Sequence, residues 1–158
     1  MKAHIAAGLM LALSVVSCGG GKSVEIDRDV QPVGNRWHSV LVTAPELAGI
    51  VQARGQAWMG PDPKESGRAV AHVEIENAVP GGEFPWHVHR GQCGSDQGIL
   101  GAADAYQPLK VDGNGRASAT AKLPIALPKT GNFHVNVHAS SKNMKTIVAC
   151  GNLAPPAQ

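Results

Sequence analysis

Aromatic residues make up only 4% of this 158-residue chain, so its core must be built mainly from Val, Ala, Ile and Leu. Charge is nearly balanced at +2 with histidine neutral, and no run of Lys or Arg occurs, which argues against a nucleic-acid partner. Sustained helical striping is missing, and no segment repeats, which excludes helical bundles and solenoids. The longest apolar run, Ile5 to Val16, is too short to cross a membrane comfortably. Cysteines number only three, and no histidine stands between His89 and His134.

The apolar run behind Lys2 has the length of a signal-peptide core. It leads into "VVSC", where Ser17 precedes Cys18 and Val15 stands three places before it. This resembles the lipobox of bacterial lipoproteins. The resemblance implies a signal peptide over 1–17, lipidation of Cys18, and a lipid-anchored protein of the bacterial cell envelope, its domain in the periplasm or outside the cell. Several acyl chains would hold the membrane far more firmly than one. Residues 18–36 are Gly-rich at the start and polar, and read as a flexible tether. Residues 37–153 are enough for one domain with a real core, and 154–158 read as a frayed tail.

What fills the domain is a series of short β-type runs separated by Gly and Pro. "HSVLVTA" ends at Pro45, and "RAVAHVEIENAV" alternates so that Val73 and Ile75 point inward while His72, Glu74 and Glu76 point outward. A hairpin-type turn is expected at Asp112 to Gly115, and a longer Gly- and Pro-bearing connection from Gly91 to Pro108. The fold class is therefore all-β, a sandwich or small barrel. With Cys18 assigned to lipid, Cys93 and Cys150 remain. A disulfide between them suits an oxidising compartment, while Cys93 as a metal thiolate is the rival reading.

Chemistry concentrates in "FPWHVHRGQC". Residues two apart on a strand share a face, so His87 and His89 project together while Val88 turns to the core, which puts the imidazoles on an outer, solvent-reachable face. In "HVNVH", His134, Asn136 and His138 likewise face out. His134 and His138 stand about 13 Å apart along their strand, too far for one ion to take both readily. If the two strands lie side by side, one of the pair joins His87 and His89. Three imidazoles suit copper or zinc rather than hard cations. Met144 either offers a soft thioether to the open position or covers apolar surface. Trp86 shields one side of the site or packs under a loop.

"FPWHVHRGQC", the spaced "VDGNGRASA" and the ending "IVACGNL" together resemble the copper/zinc superoxide dismutases, over about residues 38 to 153. The resemblance implies a Greek-key β-barrel, a Cys93–Cys150 disulfide and one copper ion on His87, His89 and His138. His138 is preferred to His134 because it ends its strand, where the family's late copper histidine lies. The departures are specific. Ile99 stands where the family has the histidine that bridges copper to zinc, and the zinc-loop histidines are missing, so zinc is not expected. Ile147 stands at the place of the family's active-site arginine, with Lys145 two residues earlier as a partial substitute for attracting an anion. Three functions are compatible with this pattern. One is dismutation of superoxide to oxygen and peroxide at copper; another is a non-catalytic copper carrier or buffer that exchanges copper with a donor and an acceptor. The last is a metal-free interaction module, a reading to which a weaker resemblance to chordin-type domains also points.

Overall fold

The structure is a computed structural model that describes residues 33–156. The expected signal peptide, the lipidation of Cys18 and nearly all of the tether lie outside the described residues, as do the last two residues of the tail. Among the described residues ten strands form two sheets: β1 (Trp37–Thr43), β2 (Arg54–Pro61), β3 (Ala69–Glu76), β4 (Glu83–Phe84), β5 (Trp86–Gln92), β6 (Ser95–Ile99), β7 (Leu109–Lys110), β8 (Ala117–Leu123), β9 (Phe133–Ser140) and β10 (Asn143–Leu153). Among the described residues the only helical pieces are three 3₁₀ turns, and no helix is long and apolar enough to cross a membrane.

Eight strands make one antiparallel, curled sheet in the order β6-β5-β9-β10-β1-β2-β3-β8, while β4 and β7 pair separately. Neighbours that are distant in sequence, β5 with β9 and β3 with β8, mark the Greek-key crossovers. The curl brings one face of every main strand onto a shared core that includes Trp37, Leu41, Met59, Val73, Trp86, Val88, Leu123, Val135 and Val137. Alternation works as expected in β1, whose residues are buried and exposed in turn, and in β3, where Val73 and Ile75 are buried and Glu74 is exposed. Trp37 closes one end of the core, edge-on to Phe133 at 5.2 Å, with its indole N–H donating to the Pro128 carbonyl at 2.9 Å.

The expected connection after Gly91 contains a strand. The chain turns at Cys93 and Gly94 and returns as β6, with Gly91 opposite Asp96 and Gln92 opposite Ser95. Gly91 has φ +93°, and a Cβ there would run into the Ser95 carbonyl, so glycine is what allows this close return. The turn at Asp112 to Gly115 is present, tied by the Gly115 N–H to the Asp112 carbonyl at 3.1 Å. It does not close a hairpin, because β7 pairs with β4 rather than with β8. Strand pairing also runs one residue past the expected domain end: Ala154 and His38 exchange backbone hydrogen bonds at 3.0 and 2.7 Å.

Cys93 and Cys150 are joined in a disulfide, which removes the metal-thiolate reading of Cys93. The bond ties the β5–β6 hairpin tip to β10, across the intervening β9. The Cys93 N–H adds a hydrogen bond to the Asn152 side chain at 2.8 Å. Cys150 and Asn152 stand opposite Asn136 and His134, so the hairpin tip lies over the outer face of β9. This has a direct consequence for the histidines beneath it.

Candidate metal centre

The outer face that carries the histidines is covered, not solvent-reachable. Residues Phe133 to His138 of β9 are buried on both faces, and so are Trp86 to His89 of β5. Alternation still assigns the faces, with Val88, Val135 and Val137 in the core and the polar side chains on the other side. A second layer then covers that side, and His87, His89, His134 and His138 are at most 7% exposed. One part of the cover is the hairpin tip held by the disulfide. Another is Tyr106, edge-on to His87 at 5.2 Å and to Trp86 at 5.0 Å, with its hydroxyl donating to the Leu100 carbonyl at 2.6 Å. Trp86 sits fully buried under the loop, its indole N–H donating to the Gln107 carbonyl at 2.8 Å.

Register decides which histidines meet. Across β5 and β9, His89 stands opposite His134, and His87 stands opposite Asn136. The pairing continues through the His138 N–H to the Pro85 carbonyl at 2.8 Å, which sets His138 diagonal to His87. The ring centroids of His87, His89 and His138 lie 5.3 to 5.8 Å apart, and one nitrogen from each falls within 4.8 Å of the others. These three residues form a group that can hold one metal ion. His134 is outside it, stacked on His89 at 5.2 Å on the side toward Asp96.

Hydrogen bonds orient the rings and choose their tautomers. A carbonyl can only accept, so the 2.6 Å contact from His138 Nδ1 to the Met144 carbonyl puts the proton on Nδ1 and leaves the Nε2 lone pair free. That Nε2 faces His87 Nδ1 at 3.3 Å. Two nitrogens each about 2.0 Å from a tetrahedral ion stand about 3.3 Å apart, so the pair is already at ligand spacing. Asp96 Oδ1 accepts from His89 Nδ1 at 2.9 Å and from the Gly98 N–H at 2.7 Å. His89 Nε2 is buried with no hydrogen-bond partner among the described residues. A carboxylate behind a ligating histidine is the usual way to fix its ring and raise its basicity.

Burial favours the neutral form of His87, His134 and His138. Burial, together with the neighbouring His138 and His89 rings, takes the His87 pKa from 6.5 down to about 4. His138 and His134 are also lowered, chiefly by burial. The Met144 carbonyl works against this for His138, and the Gly91 carbonyl does so for His134 without reaching hydrogen-bond geometry. For Asp96, desolvation acts upward but is outweighed by the Gly98 N–H and His89, so its carboxyl is lowered and stays ionised.

Two isoleucines adjoin this histidine group. Ile99 pairs with His89 across β5 and β6, and Ile147 pairs with His138 across β9 and β10. A cavity of about 870 Å³ opens beside the centre, lined in part by Asp96, Asn136, His138, Met144, Lys145 and Ile147. A groove of similar size, about 920 Å³, between Val40, Arg54 and Glu74 contains no histidine and lies away from this chemistry. Reading the sequence left three contributors without a role: Asp96 as the partner of His89, Tyr106 as cover for His87, and the backbone of Met144 as the anchor of His138. Tyr106 carried a faint signal as the single tyrosine of an aromatic-poor chain, whereas a backbone carbonyl carries none. Outside the centre, His72 is held by Thr120 Oγ1 at 2.8 Å and Glu74 at 3.1 Å on the sheet surface. Compared with protein-family models and with curated proteins, the chain matches none of them.

Proposed function

We propose that this chain is a copper-binding, superoxide dismutase-like lipoprotein of the cell envelope, with His87, His89 and His138 as the copper ligands. One observation carries the reading: three buried imidazoles that converge on one point, two of their nitrogens at 3.3 Å and a third nitrogen buried without a hydrogen-bond partner among the described residues. Such donors suit copper and zinc, and the motif resemblance favours copper. Copper bound there would supply one-electron exchange between Cu(II) and Cu(I), oxidising one superoxide to oxygen and reducing the next to peroxide. The chain's own residues do the rest. Asp96 and the Met144 carbonyl hold His89 and His138 in their ligating tautomers. Tyr106 and Trp86 keep bulk water from one side. Lys145, beside His138 on the open cavity, supplies positive charge for an approaching anion. The disulfide supports an oxidising compartment, consistent with the lipobox-like "VVSC".

A specific observation favours a second reading, a copper carrier or buffer without turnover. The ligands are almost fully covered, and isoleucines flank His89 and His138 where a bridging imidazole and a fixed cation would assist dismutation. Copper loading of the detergent-solubilised full chain, followed by superoxide decay and Cu(I) competition, separates the two. A decay rate above that of His87→Ala supports the enzyme. Tight Cu(I) retention with no rate above that variant supports the carrier, and no copper retained leaves a metal-free module.

A further inference from the structure

His134 is unexplained by the three-histidine centre. It is 0% exposed, yet neither Nδ1 nor Nε2 has a hydrogen-bond partner among the described residues. A neutral imidazole always carries one N–H donor and one acceptor, and burying both unpaired costs stability that an apolar side chain in the same place would not. Buried polar atoms left this way call for an explanation such as an unseen ligand. The surroundings supply one. His134 lies directly opposite His89 and stacks on it with the ring planes 21° apart, and a ligand atom from each of His89, Asp96 and His134 falls within 4.8 Å of the others. Both hydrogen bonds made by Asp96 end on Oδ1, so Oδ2 takes part in neither, and the side chain is half-exposed.

We propose that His89, Asp96 and His134 form a second metal position, for a divalent ion of the zinc type, which shares His89 with the three-histidine centre. Two imidazoles and one carboxylate are a donor set that such ions accept, with room left for solvent or a further ligand. The position reaches solvent through Asp96, which also lines the open cavity. An ion arriving from outside therefore meets a charged oxygen first and the buried nitrogens behind it. The proposal does not depend on the copper reading, since His134 takes no part in the first centre and His89 is the one residue that the two positions share.

The experiment takes the full chain with the first centre disabled by His138→Ala, and in parallel by His87→Ala should the former not fold. Zn(II) binding is read by calorimetry, and Co(II), as a spectroscopic stand-in, by its visible absorption. Each disabled chain should bind one ion. Adding His134→Leu should weaken that binding by about tenfold or more, the scale expected even for loss of a group supporting a metal ligand. His134→Leu also removes the orphaned nitrogens, so the metal-free chain should melt no lower than its parent, which separates lost binding from lost folding. Adding Asp96→Ala should weaken binding comparably. Equal affinity with and without His134→Leu, or no ion bound by either disabled chain, would overturn the proposal.

Discussion

In the metal-free chain His87 stays neutral when folded, because burial and the adjacent His138 and His89 rings oppose its charged form and bring its pKa from 6.5 to about 4. Unfolding restores an ordinary imidazole. Between these two values the unfolded state therefore binds a proton that the folded state does not, and acid favours unfolding. The contribution is fully present above about pH 6.5 and is lost as pH falls toward about 4. Over the whole span it amounts to about 3 kcal/mol, of which about 1.4 is gone by about pH 5.5 and about 2.6 by about pH 4.5. Since His87 is only 7% exposed, solvent screening takes little from this figure. His134 and His138, lowered by the same burial, add in the same direction. The assay is urea unfolding of the metal-free chain and of His87→Gln at about pH 7.5 and about pH 4.5. Near 2 kcal/mol per molar urea, the acid-induced fall in midpoint should be about 1 M larger in the native sequence than in the variant. Equal falls in both would refute the argument that the folded centre holds His87 neutral.

Removing the disulfide by Cys93→Ala with Cys150→Ala opens a cross-link spanning 57 residues and should cost about 4 kcal/mol, read as a drop in urea midpoint. Leu41→Ala empties a fully buried site in the curled sheet and should cost about 2–5 kcal/mol in the same assay. Asp96→Ala frees the His89 ring from its carboxylate and should weaken the proposed copper binding at the three-histidine group by about 10- to 100-fold in a competition titration. Unchanged affinity would remove Asp96 from the account of that centre.

Much of the sheet was legible because period-two alternation is a local property. Val73 and Ile75 declare the core face of β3, and Val88 with Val135 and Val137 declares that of β5 and β9. The same alternation placed His87 and His89 on one face and His134, Asn136 and His138 on one face. It failed over exposure. The outer face of β5 and β9 is buried by a hairpin tip and by Tyr106, and covering layers leave no period in the strand they cover. The strand after Gly91 is hidden for a related reason: Ser95 to Ile99 is polar and mostly exposed, so β6 lacks an apolar alternation and exists through its pairing with β5.

The residues by themselves determined an all-β chain and which strand faces hold the imidazoles, since each follows from spacing along a short segment. Only the tertiary structure decided that β5 lies beside β9 with His89 opposite His134 and His87 diagonal to His138. Register between strands some fifty residues apart is set by core packing and the crossovers, which no local pattern encodes. That register, with the hairpin tip tied down at Cys150, turns four separate histidines into one three-nitrogen group and a neighbouring ring whose nitrogens have no hydrogen-bond partner among the described residues.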